Sequence, residues 1–354
     1  MARFAHIISA IDAHTAGEPT RIVLSGLPPI PGVTMAEKKC YMMQHLDQIR
    51  TLLMQEPRGH SDMFGVIITP PTTDRGQYGV LFMDNAGYID MCGHGIISVT
   101  TALIEIGMIP ATEPETTVVF DTPAGLIKSY ARVEGNQVVD VSVANVSSFL
   151  YAKDVELNLP DVGKITLDVS FGGNFFAVIR ARDLSVSVHP DNISKLIRLG
   201  MMVKKAVNEK LKIKHPTQQH ITTVELTEIY DKPEPSSPFS KSVVIFGNGQ
   251  MDRCPCVTGT SATMATLYGR GELPLGIEFT TESIIGTRFR GKLVREVQVG
   301  DFMIRCEPTT ILTHFPHEAL TWGKSCQSKI RREQCPSPRC DRYEILHFSR
   351  ISVL

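Results

Sequence analysis

The sequence predicts an α+β protein of two domains, and three observations support this prediction. The chain has 354 residues, a length that suits two average domains. With 42% hydrophobic and 21% charged residues, it has the composition of an ordinary protein with a sizeable core. Predicted strands outnumber predicted helices, and each half of the chain holds one main long helix. A doubly wound parallel sheet is therefore not expected.

In the first third of the chain, short apolar runs alternate with turn signals. We predict strands at residues 7–11, 21–23, 64–69 and 80–83, with a polar loop at 14–19 and a turn at 85–87. Apolar residues at helical spacing predict a helix over 35–55, entered near Thr34, and another over 96–108. A linker is expected at 110–115.

The rest of the chain, up to about residue 299, continues this alternation. Strands are predicted at residues 118–120, 125–132, 137–144, 164–169, 175–179, 222–230, 243–246, 279–281, 284–289 and 292–299. Helices are predicted at 192–213 and at 261–268, the second ending near Gly269. The Pro- and Ser-rich residues 231–240 predict an exposed loop. We place the domains at 1–125 and 126–299, followed by a divergent, poorly ordered tail at 300–354.

Composition excludes several classes of function. The formal net charge is −1, so neither nucleic acid nor an anionic membrane is an expected partner. No apolar run has the length of a membrane span. The N-terminus lacks the features of a secretion signal, and eight cysteines without regular spacing suit a reducing compartment. We therefore expect a cytoplasmic protein.

Two loops in the sequence contain the same short motif. Cys92 and Cys256 each begin a Cys-x-x-Gly segment at the point where a loop becomes a helix. A helix N-terminus exposes unpaired backbone N–H groups and carries partial positive charge, so it binds carboxylates. A cysteine placed there is expected to have a pKa lowered toward neutrality. Two such loops that face each other would hold an anion with one sulfur on each side of it.

This arrangement suits racemisation of an α-amino acid. A base removes the Cα proton from one face, while an acid delivers a proton to the other face. Backbone donors aimed at the substrate carboxylate would stabilise the negative charge that develops in the transition state.

Other interpretations of these residues remain open. A single cysteine is more often a small buried apolar residue than a catalyst. Cys254 and Cys256 form a Cys-x-Cys pair of the kind found in metal or redox sites, but no second Cys/His pair lies nearby in the sequence. His94 alone is weak evidence for a metal site. The glycine-rich turns suit phosphate binding, although neither loop has a P-loop or dinucleotide-binding pattern.

At these loops the sequence resembles the proline racemase family, which also contains hydroxyproline epimerases and trans-3-hydroxyproline dehydratases. The two motifs that carry the resemblance are residues 91–95 (MCGHG) and 252–262 (DRCPCVTGTSA). The similarity extends over roughly the first 295 residues. It includes residues 14–19, 56–60, 63–65, 171–176 and 282–287.

The resemblance implies two α/β domains of diaminopimelate-epimerase-like fold that face each other across a central cleft. It also implies a homodimer that needs no cofactor and no metal. Cys92 and Cys256 would be the catalytic acid and base, and His94 and Asp252 would contact the substrate amine. The remaining site residues would hold the carboxylate through backbone N–H groups (Gly93, His94, Val257 and Thr258) or wall the ring pocket (Phe64, Ile89 and Phe246).

The same positions favour proline as the substrate. A dehydratase of this family would carry Thr in place of Cys256. A hydroxyproline epimerase would need a polar partner for the buried hydroxyl, whereas Phe64, Ile89 and Phe246 are apolar. Because an apolar pocket rejects an added hydroxyl only weakly, 4-hydroxyproline stays an alternative substrate.

Two departures weaken the match to the family pattern, and the second suggests reduced stability or activity. Relatives usually have Gly at the position of Val257. A β-branched residue there would strain a backbone with positive φ or crowd the carboxylate, whereas a backbone with helical φ would tolerate it. From about residue 300 the sequence no longer resembles the family. The tail contains Cys326, Cys335, Cys340 and His347, but their spacing fits no usual zinc pattern. A racemase-fold protein that binds its ligand without turnover is therefore a further alternative.

Overall fold

Each half of the molecule is built around one helix that is buried on nearly every side. The computed structural model describes residues 6–135, 137–232, 239–299, 302–303, 310–314 and 348–353. In the first half the central helix is α3 (Gly93–Glu105), with twelve of its thirteen residues buried. In the second half it is α5 (Val257–Gly269), with eleven of thirteen buried. A helix that is buried all round belongs to the interior of a fold.

In the first half, a mixed sheet curves around α3. Its strands are β1 (His6–Thr15), β2 (Glu18–Ser25), β3 (Phe64–Thr69), β4 (Tyr78–Asp84), β5 (Tyr88–Ile89), β6 (Glu115–Thr122), β7 (Gly125–Glu134) and β8 (Gln137–Ala144). They pair in the order β1-β2-β3-β4-β6-β7-β8, with β5 as a short hairpin partner of β4. Two pairs are parallel, β2 with β3 and β4 with β6. Helices α1 (Met35–His45) and α2 (Asp47–Met54) form the first crossover, and α3 lies in the second.

The second half repeats this plan. Its strands are β9 (Phe149–Leu159), β10 (Gly163–Phe171), β11 (Phe175–Arg180), β12 (Val224–Asp231), β13 (Ser240–Phe246), β14 (Gln250–Met251), β15 (Glu278–Glu282) and β16 (Arg288–Lys292). The pairs β11–β12 and β13–β15 are parallel. Helix α4 (Ile193–Lys210) lies in the first crossover, and α5 lies in the second. The α+β class predicted from the sequence is confirmed, and the repeated loops belong to a repeated topology.

The two central helices bring the halves together. Helices α3 and α5 contact each other, and one apolar core cluster includes buried residues from both of their N-terminal loops. Strand β19 (Thr310–His314) pairs with both β8 and β16, so it also joins the two sheets. Both cysteine loops therefore lie where the two halves of the molecule meet. The predicted domain boundaries stay a prediction.

Several element boundaries differ from those predicted. The helix expected over 35–55 begins where Thr34 caps it but breaks at Leu46, whose backbone is not helical. Both central helices begin earlier than predicted, because the cysteines themselves cap them. Strand β9 was missed. Residues 284–287, predicted as strand, form a turn closed by a hydrogen bond from the backbone N–H of Ser283 to the carbonyl of Thr287.

Parts of the tail lie in regular structure. Strand β20 (Phe348–Val353) pairs antiparallel with β1, and β17 (Gln298–Val299) pairs with β18 (Phe302–Met303). Most of the tail lies outside the described residues, as do its cysteines and most of the predicted loop at 231–240. The predicted disorder of the tail stays a prediction. Within the described part of the chain, no helix is both long and apolar enough to cross a membrane.

Candidate active site

Each cysteine loop ends in a helix cap made by sulfur. Cys92 lies directly before α3, and its Sγ accepts a hydrogen bond from the backbone N–H of Gly95 at 3.4 Å. Cys256 lies directly before α5, and its Sγ accepts from the backbone N–H of Gly259 at 3.3 Å. The Cys-x-x-Gly echo therefore has a local cause, because the fourth residue of each segment donates to the side chain at the N-cap.

The two helix ends touch. A Cβ atom added to Gly93 would lie 2.1 Å from the Cβ of Val257, so the valine side chain packs directly on the Gly93 backbone. Within the described residues, the backbone N–H groups of Gly93, Val257 and Thr258 have no assigned acceptor. Unpaired N–H donors of this kind at a helix N-terminus are able to bind an anion.

The positive φ of a non-glycine residue in the second loop belongs to Cys256, one residue before Val257. Val257 is the first residue of α5 and is not among the non-glycine residues with positive φ, so the backbone tolerates a β-branched residue at this position. Cys256 has φ 58° and ψ 107°, a backbone conformation that residues other than Gly rarely adopt. Strain of this kind persists where the surrounding structure enforces it, and it is concentrated at functional sites.

His94 lies against the first cysteine and an aromatic ring. Its Nδ1 is 3.1 Å from Cys92 Sγ, and its ring centroid is 4.5 Å from that of Phe64 in an edge arrangement. Burial lowers the pKa of His94 to about 3. The imidazole is therefore neutral throughout the physiological range and offers one donor and one acceptor nitrogen.

Two buried carboxyl groups lie beside the second loop. Burial raises the pKa of Asp252 to about 6, although hydrogen bonds involving Cys254 and Cys256 oppose this rise. Glu18 is fully buried, and its Oε2 accepts from the backbone N–H of Arg253 at 2.8 Å. Burial, and then the charge of Asp252, raise the pKa of Glu18 well above its usual value. Glu18 lies within a segment that carries the family resemblance, but the sequence reasoning assigned it no role.

The cysteine thiols are less acidic than predicted. Burial raises the pKa of Cys92 and of Cys256 well above the usual value, and the charge of Asp252 adds to both shifts. The helix N–H groups from Gly95 and Gly259 do lower each pKa as predicted, but by less than burial raises it. The predicted shift toward neutrality is therefore wrong, because the pKa of each thiol lies above its usual value.

The predicted ring wall comes together from both halves. Phe64 at the start of β3 and Phe246 at the end of β13 have ring centroids 6.5 Å apart in an edge arrangement. Ile89 belongs to the same core cluster as these rings and both cysteines. All three side chains are buried, so any ligand between them contacts an apolar surface.

Asn174 holds the first cysteine loop from the other half, and sequence reasoning missed this role. Its Oδ1 accepts from the backbone N–H groups of Asp90 at 3.1 Å and Met91 at 3.4 Å. Its Nδ2 donates to the carbonyl of Met91 at 2.6 Å. A fully buried amide thereby fixes the backbone that leads into Cys92. The only available signal was an Asn after two glycines, in a segment of the family resemblance.

Comparison with known proteins identifies relatives of the chain. Residues 10–312 match the sequence profile described as Proline racemase. A "Proline racemase" from Clostridioides difficile is 51% identical over 300 residues, which is 85% of this chain and 90% of that protein. A "4-hydroxyproline 2-epimerase" from Streptosporangium roseum is 41% identical over 299 residues, covering 84% and 90%.

A solved structure shares the fold. The crystal structure of a hydroxyproline epimerase from Agrobacterium vitis, with bound trans-4-hydroxy-L-proline, has a TM-score of 0.83 at 30% identity. The match covers 88% of this chain and 90% of that chain.

Proposed function

The chain belongs to the proline racemase family, and on that premise we propose that it interconverts L- and D-proline by proton transfer at Cα. The enzyme is an isomerase of the amino-acid racemase and epimerase type. One observation carries the chemistry: two buried cysteines cap two helices whose N-termini touch. This supports a site with one sulfur on each side of a small bound acid.

In the proposed reaction, Cys92 and Cys256 exchange one proton each with the substrate. The thiolate of one cysteine takes the Cα proton, so an S–H bond forms as the C–H bond breaks. The thiol of the other cysteine then delivers its proton to the opposite face of Cα and becomes the thiolate. The roles reverse for the other enantiomer. The negative charge that develops passes to the substrate carboxylate, where helix N–H groups stabilise it.

Substrate binding supplies the charge that makes a thiolate accessible. Burial and the charge of Asp252 raise the pKa of both thiols. Proline brings a positive secondary ammonium, for which the Asp252 carboxylate and a neutral His94 nitrogen are suitable partners. A positive charge beside the sulfurs stabilises the thiolate and lowers its pKa. One of the two thiols therefore ionises more readily when the substrate is bound.

The carboxylate is proposed to lie at the two helix ends. Gly93, His94, Val257 and Thr258 are the first residues of α3 and α5, where backbone N–H groups are available to an anion. Val257 fills part of this space, because its side chain packs on Gly93. We therefore expect carboxylate binding that is weaker than in a site with glycine at this position.

The ring pocket favours proline over 4-hydroxyproline. Phe64, Ile89 and Phe246 offer no hydrogen-bonding group to a buried hydroxyl, and an unpaired hydroxyl costs about 1–3 kcal/mol. The relative and the solved structure that carry hydroxyproline epimerase names keep 4-hydroxyproline as the second substrate to test.

The test is racemisation of L-proline by purified, reduced protein, followed by polarimetry and chiral chromatography. We expect optical rotation to decay to zero without added cofactor. Cys92→Ser and Cys256→Ser should each abolish the decay, whereas Cys40→Ser, which removes an exposed cysteine on α1, should leave it unchanged.

Two results would contradict the proposal. A higher kcat/KM for 4-hydroxyproline than for proline would assign the enzyme as an epimerase of that substrate. Binding of pyrrole-2-carboxylate, a planar mimic of the transition state, without turnover of either substrate would indicate a binding protein.

Three further predictions from the sequence accompany this proposal. Homodimer formation is checked by light scattering after size-exclusion chromatography. Independence from cofactors is checked by activity after exhaustive dialysis. The cytoplasmic location stays a prediction.

A further inference from the structure

Metal-binding atoms from both halves converge beside the two candidate catalytic cysteines. A ring nitrogen of His94, a carboxylate oxygen of Asp252 and the sulfur of Cys254 all lie within 4.8 Å of one another. All three residues are buried. Cys92 Sγ lies beside this group, 3.1 Å from His94 Nδ1. Sulfur, imidazole and carboxylate are the ligands that Zn²⁺ takes in proteins.

No sequence pattern connects these three residues. Cys254 and Cys256 are a Cys-x-Cys pair without a second pair nearby, and His94 lies far from both in the chain. Contact between α3 and α5 supplies the partners that each segment lacks. The proposed racemisation makes no use of the Cys254 thiol, so this side chain is available for another role.

We infer that His94, Asp252 and Cys254 form a binding site for a thiophilic divalent cation, with Zn²⁺ as the cation that fits best. Zinc bond lengths place tetrahedral ligand atoms about 3.3–3.7 Å apart, so shifts of less than about 1 Å per side chain bring the three atoms onto one ion. Thiolate and imidazole ligands select zinc over Mg²⁺ and Ca²⁺. On binding, the Cys254 thiol releases its proton to solvent.

The charges around the cluster favour a cation. Glu18 Oε1 is buried and has no hydrogen-bond partner among the described residues. The Glu18 charge acts on both Cys92 and Cys254. The nearby Arg253 side chain is one-third exposed and pairs with Asp62 at 3.3 Å. The site thus contains two carboxyl groups and two thiols, while the neighbouring positive group is directed to another partner.

A bound zinc ion would inhibit the enzyme, and this consequence rests on the proposed function. The ion takes His94 and Asp252, the residues proposed to hold the substrate amine. Zinc and proline should therefore compete for the site.

The experiment is a titration of reduced full-length protein with Co²⁺ under argon, monitored by absorption. To remove competing thiols in the tail, all samples carry serine at Cys306, Cys326, Cys335 and Cys340. We expect one equivalent of Co²⁺ to give visible bands of tetrahedral cobalt and a near-ultraviolet sulfur-to-cobalt band. Zn²⁺ and pyrrole-2-carboxylate should each displace it.

Variants identify the ligands. Cys254→Ser should weaken cobalt binding by more than about tenfold and reduce the sulfur-to-cobalt band. Cys40→Ser, which alters an exposed thiol, should bind cobalt as the parent does. Asp252→Asn is a second ligand variant that nearly preserves side-chain shape. Circular dichroism confirms that each variant is folded.

Two outcomes would overturn the inference. One is the absence of stoichiometric cobalt binding to the folded parent. The other is cobalt binding that is unchanged in both Cys254→Ser and Asp252→Asn. Because the readout is absorption and not turnover, either failure is distinct from failure of the racemase proposal.

Discussion

Replacing Val257 with glycine should make the enzyme faster and the fold weaker. The Val257 side chain is 1% exposed and packs on the backbone of Gly93, where the two helix ends meet. The change Val257→Gly removes three carbon atoms from this position. Backbone N–H groups at both helix ends then become accessible to the substrate carboxylate.

The magnitude follows from what each change removes or restores. A hydrogen bond to a charged group contributes about 1.5–3 kcal/mol, so one restored N–H donor raises kcat/KM for proline by about 10- to 100-fold. Most of this gain should be a lower KM. Loss of the buried side chain costs about 2–3 kcal/mol of unfolding free energy, at about 0.8 kcal/mol per carbon.

The assay compares steady-state racemisation and urea unfolding for the parent and three variants, Val257→Gly, Val257→Ala and Ala265→Gly. Val257→Ala should give intermediate kinetics. Ala265→Gly, a buried position in the same helix, should destabilise the fold by about 1 kcal/mol without changing KM. If folded Val257→Gly has the same or a lower kcat/KM than the parent, the carboxylate does not bind at the helix ends in the way proposed.

Three other predictions address the site and the core. The pKa of Asp252, raised to about 6, predicts that kcat/KM for proline falls as the pH drops through 6, because the protonated carboxyl no longer holds the ammonium. Asp252→Asn should remove this acid limb of the pH profile. An acid limb that survives in the variant would contradict the assignment. Asn174→Ala leaves the Asp90 and Met91 backbone groups unpaired, so it should lower the free energy of unfolding in urea by about 2–4 kcal/mol. It should also lower kcat more than it raises KM. An unchanged kcat would refute the positioning role. Leu103→Ala, at a fully buried position of α3, should cost about 3–5 kcal/mol in the same unfolding assay, and a loss below 1 kcal/mol would mean that this helix is not the centre of the core.

The low pKa of His94 places a separate constraint on pH dependence. Burial lowers it to about 3, so protonation of this ring contributes no limb between pH 5 and 8. In the variant His94→Gln the acid limb attributed to Asp252 should therefore persist. A limb near pH 6.5 that disappears with His94→Gln would show that this histidine titrates in the working enzyme.

Local features of the site were predictable from the sequence. The cysteines, the glycines that follow them and the start of each helix lie within four residues of one another, so short-range hydrogen bonding determines their geometry. The strand at 64–69 and the turn at 85–87 were likewise predicted with the correct limits, because apolar periodicity and turn residues act locally.

Only the tertiary structure decided how these segments act on one another. Glu18 meets the Arg253 backbone 235 positions away, and Asn174 holds the loop before Cys92 from the opposite half. The thiol pKa values rise instead of falling, because burial outweighs the helix ends, and burial depends on packing across the whole molecule. The sequence by itself determined the reactive groups and their local geometry. The electrostatics of these groups, and the meeting of His94, Asp252 and Cys254, come from contacts between distant segments that no local pattern encodes.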